Sequence, residues 1–178
     1  VNTANVTVNV LSAPTVNAGT DQTVCENASV TLSATGATSY TWDNGVVNAV
    51  SFQATATTTY TVTGTNGNGC TNTDQVVVTV NSAPTVSASG VPTTVCQGTT
   101  VVLNGSGAST YSWNNGVSNG VAFTPSSTQT YIVTGTDING CTDMETISIT
   151  VNPLPTVTAS ASATSICAGG SVTLTGGG

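Results

Sequence analysis

Residues 29–70 read SVTLSATGATSYTWDNGVVNAVSFQATATTTYTVTGTNGNGC, and residues 100–141 read TVVLNGSGASTYSWNNGVSNGVAFTPSSTQTYIVTGTDINGC. The two stretches align without a gap at a constant offset of 71 residues. Self-similarity at a fixed period is the sequence signature of repeated structural units. The sequence therefore predicts copies of one unit of about 71 residues.

The period divides the chain into four segments. Residues 13–82 and 83–153 are two complete repeats, and residues 154–178 match the first strands of a truncated third repeat. Residues 1–12 match the end of a repeat, so they are predicted to form the last strand of a preceding one. Because a last strand alone has an unpaired edge, we expect it to add to neighbouring polypeptide. The joints between repeats are short and contain proline, which predicts stiff connections.

Each repeat has the sequence pattern of a β-sandwich. Stretches rich in Val, Thr, Tyr and Phe are broken by Gly and Asn about every eight to twelve residues, a spacing typical of sandwiches. Helical periodicity is missing from the sequence. In the first repeat the pattern predicts strands at residues 15–25 with a break at Gly19, 29–35, 39–43, 50–54, 58–65 and 70–80.

Alternation of apolar and polar residues along these strands predicts the cores. The aromatic core positions are Trp42 and Tyr60 in the first repeat and Trp113 and Tyr131 in the second. The other inward positions are Val30, Leu32, Tyr40, Phe52, Val62, Val76, Val78 and Val80, with Val101, Leu103, Tyr111, Phe123, Val133, Ile147, Ile149 and Val151 as their counterparts. Threonine occupies the other face, where a β-branched hydroxyl residue suits an exposed strand.

The charge composition excludes several functions. Lysine, arginine and histidine are absent, and the seven acids give a net charge of −7. Nucleic acid and anionic membrane surfaces are bound chiefly through Lys and Arg, so we expect neither partner. We also expect no enzyme, because the commonest general base and the amine nucleophile are both missing. No apolar run reaches the roughly 20 residues of a membrane span, so no direct membrane insertion is expected.

Five cysteines are the most specific local feature. Cys25 and Cys70 are 45 residues apart, as are Cys96 and Cys141. Cys167 occupies the position of Cys96 in the next repeat, and we expect it to be the first of a pair whose partner lies beyond residue 178. Two cysteines per repeat are typical of disulfide-bonded domains from oxidising compartments, so the pattern predicts disulfides. A zinc site would need closely spaced cysteines or histidines, and a reactive thiol would need a cationic neighbour; the sequence supplies neither.

Three acids near the last hairpin of the second repeat form a candidate calcium site. Asp137, Asp143 and Glu145 offer the oxygen ligands that calcium prefers. The first repeat places Asn66 and Asn72 at two of these positions, so the set is not part of the repeated unit. We therefore expect no cofactor and interpret these acids as solvated side chains, with calcium as the alternative.

The repeats resemble a known class of domain. Residues 14–36, PTVNAGTDQTVCENASVTLSATG, followed by SYTWDNG at 39–45, are similar to the polycystic-kidney-disease (PKD) type of immunoglobulin-like domain. The fuller pattern VC…VTL…YSW-x-NG…TYTVTGT…NGC resembles the immunoglobulin-like repeats of giant surface proteins of Bacteroidetes. The resemblance implies tandem sandwiches arranged as an elongated rod. It implies that Trp42 and Trp113 are the core tryptophans of the third strand, and that Tyr60 and Tyr131 are strand-start tyrosines.

The cysteine pairing stays open between three arrangements: bonds within a repeat, bonds between neighbouring repeats, and bonds between chains. A bond within each repeat would join Cys25 to Cys70 and Cys96 to Cys141. In an immunoglobulin-like strand order, however, these positions lie at opposite poles, separated by roughly 20 Å for a six-residue strand. A disulfide needs Cα atoms within about 7 Å, which favours a bond between neighbouring repeats, Cys25 to Cys141.

The resemblance implies a structural role at the bacterial cell surface. In that family such repeats form stalks or filaments of adhesins exported by type IX secretion, which serve attachment, gliding or capture of other cells. We expect a tension-bearing extracellular module that bundles with copies of itself, because a nearly uncharged surface opposes packing only weakly. The alternative is an adhesin module that binds glycan or protein through its loops.

Overall fold

The computed structural model describes residues 4–178 of the protein. Within that range the regular elements are β-strands and one 3-10 turn at Asn114–Gly116. The chain forms two compact units: Val1–Thr85 with Thr136–Asp143, and Val86–Gly135 with Met144–Gly178. The described residues contain no helix that is long and apolar enough to cross a membrane.

The first sandwich is built from two sheets. Its strands are β1 Gln22–Cys25, β2 Ala28–Thr31, β3 Ser39–Trp42, β4 Ser51–Ala54, β5 Thr58–Thr65 and β6 Thr71–Asn81. One sheet has the order β1-β6-β5-β3 and the other pairs β2 with β4. Strand β1 runs parallel to β6 and places Cys25 opposite Asn81, whereas β5 is antiparallel to β3 and β6.

The second sandwich repeats this plan. Its strands are β7 Ser87–Val91, β8 Thr94–Cys96, β9 Val101–Ser106, β10 Thr110–Trp113, β11 Ala122–Phe123, β12 Gln129–Thr136 and β13 Thr142–Asn152. The sheets have the orders β10-β12-β13-β8 and β11-β9-β7. Strand β8 is parallel to β13 and places Cys96 opposite Asn152. Two facing sheets around one core make each repeat an all-β, immunoglobulin-like sandwich.

The two cores contain equivalent residues. Trp42, Tyr60, Trp113 and Tyr131 are all buried. The aliphatic core of the first sandwich includes Val30, Leu32, Val62, Val76 and Val78, and that of the second includes Val101, Leu103, Val133 and Ile149. Tyr40, Phe52, Val80, Tyr111, Phe123, Ile147 and Val151 are partly buried against these cores. An aromatic pair closes each core, Phe52 with Tyr60 and Phe123 with Tyr131, at centroid distances of 5.3 and 5.2 Å.

The strand expected at residues 15–25 is shorter than predicted. Asn17 makes an isolated bridge to Thr35, and regular pairing begins only at Gln22. Gly19 lies between them with φ of 94°, which takes the chain out of the extended conformation. The expected strand is therefore reduced to an isolated bridge at Asn17 and the short strand β1.

The strand predicted at residues 1–12 is not formed in the part of it that the structure describes. Residues 4–12 have no strand partner, and Val6, Val8 and Val10 are 87, 79 and 93% exposed. A strand exists through its hydrogen bonds to a neighbour, and no described strand pairs with this segment. The alternation of apolar residues in this segment is typical of a strand, but alternation alone does not provide the neighbouring strand that pairing requires.

The last 25 residues form one paired element. Strand β14 Thr158–Ala161 is antiparallel to β15 Leu174–Gly177, with Ala161 opposite Leu174. The same pairing joins β7 to β9 in the second sandwich, where Gly90 lies opposite Leu103. Residues 153–178 are exposed throughout, so this pair has the register of a sandwich without the core of one.

Candidate functional site

The candidate site is a disulfide-closed joint at the hairpin between β12 and β13. The tip of this hairpin, Thr136–Asp143, belongs to the first compact unit. The carboxylate of Asp137 accepts hydrogen bonds from the backbone N–H groups of Asn139 and Cys141, both at 2.8 Å. The N–H of Asp137 donates to the carbonyl oxygen of Cys141 at 2.9 Å. These bonds fix Cys141 at the base of the turn.

The other half of the joint is the end of the first sandwich. Cys25 closes β1 opposite Asn81, and the N–H of Glu26 donates to the carbonyl oxygen of Asn81 at 2.9 Å. The Sγ atom of Cys141 lies 3.9 Å from that same oxygen. Cys25 and Cys141 form a disulfide with Cα atoms 5.5 Å apart, and Cys141 is 1% exposed. The structure thus joins the two cysteines of different repeats.

The alternative pairing within repeats does not form. Cys25 lies beside Asn81 at the end of β6, whereas Cys70 precedes Thr71 at its beginning. Eleven residues of extended strand separate the two positions by roughly 35 Å, and a disulfide spans at most about 7 Å between Cα atoms. The same geometry keeps Cys96 away from Cys141 in the second sandwich. The alternative prediction of the bonds Cys25–Cys70 and Cys96–Cys141 is therefore wrong.

The hairpin between β5 and β6 holds Cys70 in the same way as the hairpin between β12 and β13 holds Cys141. The Oδ1 atom of Asn66 accepts from the N–H groups of Asn68 and Cys70 at 3.0 Å, as Asp137 does in the second repeat. The Nδ2 group of Asn66 donates to the carbonyl oxygen of Ser12 at 2.9 Å. The Sγ atom of Cys70 lies 3.9 Å from the carbonyl oxygen of Leu11. Cys70 therefore occupies the position of Cys141 with its thiol free.

Cys96 and Cys167 also carry free thiols, and both are exposed. Cys96 lies opposite Asn152, just as Cys25 lies opposite Asn81. The parallel pair β8–β13 at the end of the second sandwich is thus equivalent to the pair β1–β6, where Cys141 is bonded in the first. Cys167 is the counterpart of these two residues in the third repeat.

The candidate calcium ligands are not gathered into a site. Asp137 uses its carboxylate within the hairpin turn, and Glu145 accepts a hydrogen bond from the N–H of Thr146 at 2.7 Å. Within residues 4–178, no three side chains of the His, Cys, Asp and Glu types come together as a metal-binding group. Asp137, Asp143 and Glu145 therefore lack the convergent oxygen ligands that calcium requires.

Two loop asparagines accept hydrogen bonds from the core tryptophans. The sequence analysis did not predict this role. The Oδ1 atom of Asn48 accepts from the indole N–H of Trp42 at 3.0 Å and from the N–H of Ala34 at 2.8 Å. Asn119 accepts in the same way from Trp113 at 3.0 Å and from Gly105 at 2.6 Å. The signal was available, because asparagine recurs six residues after each tryptophan. In each loop the asparagine Oδ1 atom thus bonds the tryptophan and a backbone N–H of the same sandwich.

The acids of the first sandwich tie its split first strand to β6. Asp74 Oδ2 accepts from the N–H of Ala18 at 2.8 Å, and Asp21 Oδ1 accepts from the N–H of Val77 at 2.8 Å. Hydrogen bonds from the N–H groups of Ala18 and Gln75 lower the pKa of Asp74, against a smaller opposing effect of desolvation. These carboxylates replace ladder hydrogen bonds that the split strand does not make.

Comparison with known proteins gives low-identity likenesses to multidomain structures. No protein-family model matches the chain, and no curated protein matches it in sequence. A three-immunoglobulin structure of titin is 12% identical, with 95% of this chain and 77% of that one aligned and a TM-score of 0.39. The insect immune protein hemolin is 17% identical, with 78% and 47% aligned and a TM-score of 0.40.

A third solved structure belongs to a bacterial protein. A part of a 1.5-MDa bacterial ice-binding adhesin is 16% identical, with 84% of this chain and 69% of that one aligned and a TM-score of 0.33. The chain spans under half of the hemolin chain. Because none of these three TM-scores exceeds 0.40, the assignment of immunoglobulin-like sandwiches rests on the strand orders and cores of this chain.

Proposed function

We propose that this chain is a load-bearing segment of a long extracellular filament, stalk or adhesin made of tandem immunoglobulin-like repeats. The observation that carries the proposal is the disulfide between Cys25 and Cys141, which joins one repeat to the next. Disulfides persist in oxidising compartments, so the bond supports an extracellular location. The resemblance of the repeats to surface filament proteins of Bacteroidetes supports a bacterial cell surface and type IX export.

The disulfide changes how the chain carries tension. A force applied to the two ends reaches Cys25 and passes through the sulfur bridge to Cys141, a separation of 116 residues. Strands β2 to β12 lie within this loop and carry none of the load. Even complete unfolding of the loop therefore adds no length between the ends. Such a segment is suited to a fibre that resists extension. It is less suited to a fibre whose domains unfold to absorb energy.

The surface composition supports association of copies side by side. The seven acids are the only charged side chains of the chain. Sparse charges of one sign repel weakly, and physiological salt screens them beyond about 8 Å. Exposed strand faces rich in threonine therefore meet little electrostatic opposition when copies pack together. This feature supports bundles of the filament and carries no indication of an enzymatic reaction.

The loops after the tryptophan strands support a spacer role over ligand recognition. Residues 46–50 and 117–121 have equal length, and each uses its asparagine to hold the core tryptophan and a backbone N–H. A binding loop would direct varied polar or aromatic groups outward. Here the Oδ1 atom of the shared asparagine is already bonded to groups of its own sandwich. We therefore place ligand recognition, where the filament has it, in other parts of the protein.

Single-molecule extension tests the load-bearing function. The chain is held by its ends and pulled with the disulfide intact and after reduction. At about 3.4 Å per residue, the 178-residue chain extends to about 600 Å when reduced and to about 210 Å when the 116-residue loop is closed.

The variants for this experiment distinguish the bond from other effects of reduction. Cys25→Ser is expected to give the long extension under oxidising conditions, because it removes the bridge. Cys96→Ser is the matched control and retains the short extension, since Cys96 makes no disulfide. An oxidised wild-type chain that reaches the long extension contradicts the proposal.

A further inference from the structure

The wider sheet of each sandwich presents an outer face, which consists of the outward side chains of β1-β6-β5-β3 in the first sandwich and of β10-β12-β13-β8 in the second. Exposure alternates along the long strands of these sheets. In β5, Tyr60 and Val62 are buried, whereas Thr59 is exposed and Thr61 is partly exposed. The opposite sheets have two and three strands. The four-stranded sheets therefore offer the larger surface to a partner.

The outer faces are nearly free of charge. Six of the seven acids lie on the inward side of β6 and β13 or outside the strands: Asp74, Asp143, Glu145, Asp21, Glu26 and Asp137. The seventh, Asp43, lies at the margin of the first face, where its Oδ1 atom accepts from the N–H of Thr61 at 3.0 Å. The second sandwich has Asn114 at this position. Two outer faces can therefore meet without like charges opposing each other at their centres.

Polar side chains of the outer faces bond to one another across strands. In the first sandwich the Nε2 group of Gln75 donates to Thr61 Oγ1 at 3.1 Å. In the second, the hydroxyl oxygens of Thr130 and Ser148 are 2.9 Å apart. A polar group that keeps a hydrogen-bond partner costs less to remove from water than one that loses it. Covering these faces therefore leaves such pairs satisfied.

The outer faces also expose apolar groups. Thr41, Thr63 and Thr73 lie side by side across β3, β5 and β6, and each threonine carries a methyl group beside its hydroxyl. In the second sandwich, Ile132 and Met144 are 39 and 66% exposed on outward positions. A contact between two such faces removes these apolar groups from water, which favours association.

The area of one outer face indicates which partner fits it. In the first sandwich β5 and β6 pair over eight residues, and β1 and β3 have four residues each. At about 3.3 Å per residue and 4.8 Å per strand, this face covers about 400 Å². Two faces together bury about 800 Å², which is below the roughly 1,200 to 2,000 Å² of a stable interface. A partner must therefore make several such contacts, and a copy of this chain offers one on each sandwich.

We propose, on the basis of the side-by-side association proposed above, that the outer face is the surface between copies: each outer face packs on the outer face of a second copy. Two twisted sheets pack with their strands about 30° apart and about 10 Å between the sheets. The strands remain paired within their own sheets, and the side chains of one face lie between those of the other. Association through one sandwich is weak and becomes stronger when a second sandwich also makes contact.

Sedimentation of the full chain over a concentration series tests this surface. Cys70, Cys96 and Cys167 are replaced by Ser in every sample, so that no free thiol links two chains. We expect reversible, concentration-dependent association. Thr63→Glu together with Thr134→Glu places one carboxylate within each outer face and should weaken association by about tenfold or more through like-charge repulsion. Either substitution alone should have a smaller effect, because one contact remains.

Opposite charges provide the second part of the test. A chain with Thr63→Lys and Thr134→Lys should also associate weakly with itself. An equal mixture of the Lys and Glu chains should restore association, because each carboxylate then meets ammonium groups across the contact.

The matched control adds the same two negative charges to the narrower sheets. Gln53→Glu in β4 and Thr124→Glu just after β11 change exposed side chains on the opposite side of each sandwich. This chain should retain the wild-type association. Unchanged tryptophan fluorescence in all variants shows that each sandwich remains folded.

Each contrary result has a distinct meaning. A chain that stays monomeric at its highest soluble concentration overturns both this surface and the side-by-side association. Association that survives the Glu substitutions, or that the Lys and Glu mixture does not restore, overturns the surface and leaves side-by-side association standing. An equal loss in the Gln53→Glu, Thr124→Glu chain overturns the pairing of two outer faces and places the opposite sheet in the contact. Single-molecule extension measures the Cys25–Cys141 bridge within one chain and is independent of all these results.

Discussion

The two hairpin tips, Asn66–Cys70 and Asp137–Cys141, have the same geometry but differ in covalent state. In both, one side-chain oxygen accepts two backbone N–H groups, and the cysteine sulfur lies 3.9 Å from a carbonyl oxygen of the preceding segment. Only Cys141 is bonded. The hairpin and the preceding segment therefore fix the position of the cysteine with or without a disulfide. The disulfide forms at the second tip because β1 brings Cys25 next to Cys141 there.

The first strands of the two sandwiches differ in their hydrogen-bonded pairing, which is a larger difference than that between the hairpin tips. In the second repeat, β7 makes a five-residue ladder with β9. In the first repeat, the corresponding segment makes one bridge, and the carboxylates of Asp21 and Asp74 hold the chain to β6. Carboxylate caps can thus substitute for ladder hydrogen bonds. They also make the first sandwich sensitive to acid in a way that a backbone ladder is not.

The largest expected effect comes from breaking the bond at the second tip. Cys141→Ser should destabilise the joint by about 4 to 5 kcal/mol, because the bridge restricts a long loop in the unfolded chain. Denaturant unfolding measures this loss, and Cys70→Ser at the equivalent tip should leave stability nearly unchanged. Equal losses in the two variants would contradict the difference between the tips.

A second prediction addresses the two cores. Leu32 and Leu103 are 1 and 0% exposed at equivalent positions. Leu32→Ala and Leu103→Ala should each cost about 3 to 4 kcal/mol in their own sandwich through lost burial and the cavity left behind. The measurement is denaturant unfolding followed by Trp42 in a Trp113→Phe chain and by Trp113 in a Trp42→Phe chain. A cost at one site below a third of the other would show that the cores are not equivalent.

A smaller effect is expected at the loop asparagines. Asn48→Ala leaves the indole N–H of Trp42 and the N–H of Ala34 without their acceptor, which should cost about 2 kcal/mol. Asn119→Ala should cost a similar amount in the second sandwich. Asn48→Asp keeps the acceptor oxygen and serves as the matched control. Unchanged unfolding of Asn48→Ala would mean that water replaces the amide at no cost.

The smallest effect is the pH dependence of the first sandwich. The pKa of Asp74 is lower in the folded than in the unfolded chain, so its contribution is complete above the unfolded pKa and is lost as pH falls through the folded one. Stability should therefore decline below about pH 4. Carboxyl NMR titration and acid unfolding by Trp42 fluorescence measure this decline. Asp74→Asn keeps an acceptor oxygen and should reduce the pH dependence; an unchanged acid profile would contradict the assignment.

Period and alternation predicted the sandwich and its core, because both depend on local pattern. Strand lengths were less accurate: residues 29–35 shortened to β2 Ala28–Thr31, and residues 15–25 split at Gly19. The partner of each strand end decides such boundaries, and alternation contains no information about partners. The role of Asn48 was missed for a similar reason, since a polar residue in a loop does not reveal which way its amide faces.

The sequence by itself determined the repeat, the all-β class, the inward residues and the absence of cationic chemistry, because composition and period two are local properties. It left Cys25 with two possible partners. Only the tertiary structure decided between Cys70 and Cys141, through the parallel register that places Cys25 beside Asn81 and far from the start of β6. Register is a relation between distant strands, and a disulfide forms where that relation brings two sulfur atoms together.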